Sequence, residues 1–137
     1  MRILGIDYGD RRTGVAVSDE TEFLASALTT VKGQDMDIVA AEIAKIYAEQ
    51  NAGRIVLGLP KNMDGSSGFR VEHTMNFKSK LEELIPGVDI VMFDERMTTM
   101  AAAQYMNITD VRGKKRKSTI DVLAAKIILQ DYLDSKR

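Results

Sequence analysis

The sequence predicts an α/β fold: a mixed five-stranded sheet, three antiparallel leading strands plus two parallel ones, with helices on both faces. Three observations predict it. Three short segments of β character follow one another before Gly33, with no room for a helix between them. Strands linked this closely form an antiparallel meander. Two apolar runs, 55–59 and 88–93, each follow a segment of helical periodicity, as parallel strands added through β-α-β units do. The first run is apolar throughout and the second is apolar apart from Asp89, which suits strands covered by helices on both sides.

The first strand spans Arg2 to Tyr8, rich in aliphatic residues and closed by Gly9. The second spans Thr13 to Ser18, across a turn that contains Gly9, Asp10 and Gly14. The third lies within Glu22 to Val31, where Thr, Val and Leu abound, and Gly33 interrupts it. Met36, Val39, Ala40, Ile43, Ile46 and Tyr47 recur at helical spacing over Asp35 to Asn51, with Gly53 expected to end that helix. Arg54 to Leu59 is the fourth strand, stopped by Pro60. A polar, glycine-containing loop from Lys61 to Gly68 leads into a helix from Ser67 to Ile85, closed by Pro86 and Gly87. Val88 to Phe93 is the fifth strand. Thr98 to Asn107 reads as a short helix capped by Thr98. A basic loop follows, and Thr119 to Leu133 is the last helix. No repeat or linker interrupts the chain, so a single domain over 1–137 is expected.

Composition narrows the function. The chain has no cysteine, which excludes disulfides and thiolate metal sites and fits a reducing cytoplasm. Its first apolar stretch is broken by Asp7, unlike a signal peptide, and no run is long enough for a membrane span. The net charge of −1 conceals an asymmetry. Arg112, Lys114, Lys115, Arg116 and Lys117 lie within six positions, and without them the chain holds 14 basic and 20 acidic residues. An acidic body with one concentrated basic segment suits a phosphate backbone, although a charge run also makes a solvated loop.

The chemistry is expected at carboxylates. Asp7 stands in a strand that is mostly apolar, where a charge is expensive unless a metal or a base meets it. Gly5 and Gly9 flank it and leave space for a large ligand to approach. The C-terminal ends of parallel strands share one edge, where ligands gather. Asp94 and Glu95 stand at the end of the last strand, so they converge on Asp7 if the two strands are adjacent. Asp121 is the third carboxylate. Ser118-Thr-Ile-Asp121 also reads as a capping box, in which Asp121 would only serve the first turn of a helix. Three acids without a His or Cys cluster suit a hard cation, magnesium or manganese. That set fits two-metal phosphodiester hydrolysis, with Asp7 bridging the ions and Glu95 and Asp121 each completing one shell. Asp94 is either a further ligand or, as the favoured reading, a residue that stands behind the ligands.

Substrate contacts have two readings each. Asn62, Ser66 and the glycines around them form a phosphate cradle, assisted by Arg70, or a turn that redirects the chain. Arg12 and Arg96 contact phosphate or pair with nearby acids. Thr98 and Thr99 donate to phosphate or cap their helix. Lys114, Lys115, Arg116 and Lys117 hold nucleic acid above the acids. His73 is an ordinary surface or packed residue.

Four segments carry a family resemblance. Gly5-Ile-Asp7-Tyr-Gly9 through Arg12-Thr-Gly14-Val-Ala-Val-Ser-Asp19 resembles the first motif of the YqgF/RuvX family. Gly58-Leu-Pro60-Lys-Asn-Met-Asp-Gly65-Ser-Ser-Gly68 resembles the second, and Asp94-Glu-Arg-Met-Thr-Thr99 the third. Asp121-Val-Leu-Ala-Ala125 with Ile128-Leu-Gln-Asp-Tyr-Leu133 resembles the fourth. The resemblance implies an RNase H-like fold similar to Holliday junction resolvases. It implies an acidic triad of Asp7, Glu95 and Asp121 with a divalent metal. It also implies a bacterial cytoplasmic nuclease that matures the 5′ end of small-subunit ribosomal RNA precursor. Alternatives are resolution of four-way DNA junctions, and RNA binding without catalysis in ribosome assembly. The state is monomer or homodimer; junction DNA, being near-symmetric, would favour the dimer. The start also resembles the phosphate motif of actin-like ATPases and sugar kinases, but those need two such domains around a cleft, more than this length supplies.

Overall fold

A computed structural model describes residues 1–59, 69–94 and 113–136, with side chains from 70 onward in the second helix and from 122 onward in the last. In chain order the elements are β1 (Arg2–Asp7), β2 (Arg12–Ser18), β3 (Ala25–Lys32), α1 (Met36–Glu49), β4 (Ala52–Leu59), α2 (Phe69–Leu84), β5 (Ile90–Asp94) and α3 (Gly113–Ser135). The sheet has five strands in the order β3-β2-β1-β4-β5. β1 and β2 pair antiparallel, as do β2 and β3; β4 runs parallel to both β1 and β5. The predicted mixed sheet is therefore present. The short helix expected at 98–107 lies outside the described residues.

Strand alternation sorts the side chains into two cores. Leu4, Ile6 and Tyr8 pack with Val15, Ile55 and Leu57 against α1 and α2, through Val39, Ile43, Phe77 and Leu81. Ile3, Ala16 and Val56 pack on the other face against Ala125, Ile128, Leu129 and Tyr132 of α3. Tyr8 stacks on Phe77 with ring centroids 4.1 Å apart.

Three local expectations change. Gly53 does not end α1. The turn is made at Asn51, whose φ of 54° is left-handed, a conformation asparagine tolerates better than most residues. Gly53 instead lies in β4, where a Cβ would overlap the Met1 side chain. At its start, α1 is capped by Asp35, whose carboxylate accepts from the Asp37 and Ile38 amides at 2.9 and 3.4 Å.

The last helix begins at Gly113, six residues before the expected Thr119. The basic segment 114–117 is thus helical and not a loop. Lysine and arginine are good helix formers and no proline intervenes, so charge alone did not mark a boundary. As a result Ser118-Thr-Ile-Asp121 is no capping box, because Asp121 stands about two turns inside the helix.

Gln130 fastens α3 to the start of β3. Its side-chain oxygen accepts from the buried Ala25 amide at 2.8 Å, and its nitrogen donates to the Phe23 carbonyl at 2.9 Å. Gln130→Ala leaves the Ala25 amide without its acceptor, and chemical denaturation should show a loss of about 1–3 kcal/mol. The turn between β2 and β3 is held by Asp19, whose carboxylate accepts from the Phe23 and Leu24 amides and the Thr21 hydroxyl. The Leu24 amide, then the Thr21 hydroxyl and the Phe23 amide, hold the Asp19 carboxyl well below the usual carboxylate range. A depressed folded pKa gives stability that is full above the unfolded value and is lost as pH falls toward the folded one. Asp19→Asn should therefore lower the melting temperature at pH 7, with a gap from wild type that narrows toward pH 3.

Candidate active site

The site is built at the C-terminal edge of the parallel strands. Asp7 closes β1 and is half-buried. Alternation places it with Ile3 and Gly5 on the face that α3 covers. On one side its strand partner is Gly14. On the other, Gly58 follows Leu57, the partner of Ile6. Both lateral neighbours of the carboxylate thus lack side chains. The sequence reading missed this pair, since only the register shows that they border Asp7.

Gly5 has a different task from the expected one of admitting a ligand. A Cβ there would lie 2.6 Å from the Leu129 Cβ and 3.1 Å from the Ala125 carbonyl oxygen. Gly5 lets α3 lie directly on β1. Gly9 serves the turn, where a Cβ would strike the Arg12 carbonyl.

This close packing sets the level of Asp121. Arg54, the β4 partner of Ile3, donates to the Tyr132 hydroxyl at 3.0 Å. Gly5 meets Ala125 and Leu129. Moving up β1, the contacts thus move back along α3, so strand and helix run antiparallel. Asp7 is two residues beyond Gly5, about 6.6 Å of strand. Asp121 is one turn before Ala125, about 6 Å of helix, on the stripe that includes Ala125 and Ile128. The two backbone positions come level at the open edge.

Asp94 ends β5. Contrary to expectation, β1 and β5 are parallel but not adjacent, because β4 lies between them. The separation is two strand spacings, about 9.6 Å, bridged at Gly58, the partner of Phe93. Asp94 shares the face of Ile90 and Met92, away from α3, so it is not presented with Asp7. Glu95 is the next residue and lies outside the described ones, as do Asn62, Ser66, Arg96, Thr98 and Thr99.

Of the predicted substrate residues, Arg12 opens β2 and alternation puts it on the face of Gly14 and Ala16, the side of Asp7. Arg70 is exposed at the start of α2, which covers the opposite face. Lys114, Lys115, Arg116 and Lys117 fall in the first turns of α3, upstream of Asp121. His73 packs edge-on against Tyr8 at 5.6 Å, with its Nδ1 3.8 Å from the Asp10 carboxylate. Burial, then the Asp10 charge, pushes the Tyr8 hydroxyl above its ordinary pKa. Among the described residues no group of three His, Asp or Glu side chains could hold a metal. Asp7 is one carboxylate donor at this edge, and oxygen donors fit a hard divalent cation.

A mixed five-stranded sheet with a carboxylate at the end of its central strand and a helix laid across it is the α/β architecture of the RNase H-like fold. Thermus thermophilus RuvC, solved with a Holliday junction substrate, superposes with a TM-score of 0.63 at 14% identity, over 99% of this chain and 95% of that one. The Fowlpox virus resolvase, solved with Holliday junction DNA, gives 0.63 at 12% identity, over 99% of each chain. The chain belongs to the RuvX family, described as Holliday junction resolvase, whose match spans residues 1–135. A Staphylococcus epidermidis relative named "Putative pre-16S rRNA nuclease" is 45% identical over 136 residues, 98% of this chain and 96% of its own length. A Staphylococcus aureus relative of the same name is 43% identical over the same shares. The protein is thus an enzyme of a nuclease family, one whose members normally depend on a metal. No helix among the described residues is long and apolar enough to cross a membrane.

Proposed function

We propose that this protein is a cytoplasmic, single-domain endonuclease that cuts ribosomal RNA precursor near the 5′ end of the 16S sequence. The observation that carries the reading is the close packing of α3 on β1, where Gly5 meets Ala125 and Leu129, in a chain whose relatives bear that name. In this reading Asp7, Glu95 and Asp121 would hold magnesium or manganese. Bound divalent ions would supply activation of water and neutralisation of the leaving oxygen. The chain's own residues do the rest. β1 fixes Asp7 rigidly, and the two glycines beside it keep the phosphate path open. Arg12 sits on the side where the phosphodiester approaches. Positions 114–117 precede Asp121 within helix α3, so one element would supply both an acid and the nucleic-acid grip.

Four-way DNA junctions are the second reading, favoured by the two resolvase structures that contain them. A cleavage assay on a labelled 16S precursor fragment and a four-way DNA junction, in manganese and in chelator, decides between them. Metal-dependent cutting of the RNA alone is expected; cutting of the junction alone assigns the protein to DNA. Binding without cutting in manganese would make it an assembly factor. In the same system, replacing Lys114, Lys115, Arg116 and Lys117 by alanine should flatten the salt dependence of RNA binding. The log–log slope should fall by about 3 units if all four contact phosphate.

A further inference from the structure

The turn between β2 and β3 presents two large apolar side chains to solvent, Phe23 at 58% and Leu24 at 63% relative exposure. Adjacent exposed residues of this size would ordinarily be softened by a mobile loop. Here the turn is rigidly braced. Asp19 accepts from both their amides, and its own amide donates to the Leu24 carbonyl at 3.1 Å. Gln130 donates to the Phe23 carbonyl at 2.9 Å, tying the turn to α3. The amino terminus donates to the Glu20 carbonyl at 2.7 Å and pairs with the Glu22 carboxylate at 3.5 Å. Glu22 itself takes a φ of 62°, a left-handed conformation unusual for a residue that is neither glycine nor asparagine. Backbone strain of this kind persists only where surroundings enforce it, and it clusters at functional sites. Two apolar side chains on a backbone that is already braced need less ordering on binding than they would on an unbraced turn.

The charge around them selects the occupant. Asp19 and Glu20 are exposed beside the anchors, and Asp134 is joined to them through Gln130. The amino terminus offsets only Glu22. An acidic rim repels a nucleic-acid backbone and repels a second copy of itself, and it attracts lysine and arginine. The turn also lies at the far end of the sheet from Asp7. β2 ends at Ser18, whose hydroxyl accepts from the Ile3 amide, and from there to Asp7 is more than about 13 Å of strand.

We propose that Phe23 and Leu24 are a docking element for a basic protein surface that offers an apolar pocket, placed so that this partner and the nucleic acid are held at opposite ends of the molecule. The proposal rests on the ribosomal RNA reading, under which the partner is a basic protein of the precursor particle. The test uses purified precursor small-subunit particles and, separately, the same RNA stripped of protein. The double variant Phe23→Ser, Leu24→Ser should bind particles at least about tenfold more weakly than wild type. It should match wild type in binding and cutting the stripped RNA. A photoreactive phenylalanine analogue at position 23 should crosslink to a particle protein. Equal binding of variant and wild type to particles, a crosslink to RNA, or a crosslink to a second copy would overturn the proposal. Failure of wild type to cut the stripped RNA would instead overturn the functional reading, and the crosslink reports independently of it.

Discussion

Asp7→Asn should remove cleavage while leaving the fold intact. The substitution preserves shape and removes one negative charge from the end of β1, where the side chain is half-buried between strands that present Gly14 and Gly58. The asparagine keeps the size and shape of the side chain, so the melting temperature should stay close to that of wild type. The loss falls on catalysis, because a neutral amide is a poor ligand for a hard cation and cannot be shared between two. Losing one well-placed electrostatic group in an active site costs about 100-fold to 1000-fold in rate, and a bridging ligand should reach at least that range. Single-turnover cleavage in manganese, alongside thermal unfolding, checks both halves. Normal turnover by the variant would remove Asp7 from the mechanism.

Gly5→Ala should damage the protein more than its size suggests. The added methyl would meet the Leu129 Cβ at 2.6 Å and the Ala125 carbonyl at 3.1 Å. Neither atom is the far end of a flexible side chain, so α3 itself must move off the sheet. Overpacking of this kind costs about 1–3 kcal/mol, read by chemical denaturation. The shift also separates position 121 from Asp7, and misplacement of about 1 Å in a catalytic constellation can cost 100-fold in rate. Trimming Leu129 to alanine in the same protein should give no relief, since the atom in the way is its Cβ. Full activity and stability in Gly5→Ala would contradict the close approach of α3 to β1.

These two residues also show what a sequence discloses. Asp7 is readable because a carboxylate in an aliphatic strand violates its surroundings, and chemistry is the usual reason. The strands at 2–8 and 55–59 and helix α1 follow from local pattern and caps, and the structure places them within a few residues of expectation. Gly5 is different. A glycine beside a catalytic candidate suggests room for a ligand, and nothing local says that the room is taken by Leu129, which lies far along the chain. The same limit applies to Gly14 and Gly58, whose meaning comes only from strand register, and to β4, whose place between β1 and β5 no local pattern specifies. Asp121 was ambiguous because the charge run before it resembled a loop. Once those residues are helical, the capping explanation lapses and the position above Asp7 remains.

The most direct test is manganese binding by calorimetry, with wild type, Asp7→Asn, Glu95→Gln and Asp121→Asn compared in the presence of a non-cleavable RNA. The account predicts that every one of the three substitutions weakens or abolishes manganese uptake, Asp7→Asn most of all, while each variant keeps its fold. Unchanged manganese binding in all three would contradict a metal centre built from these acids.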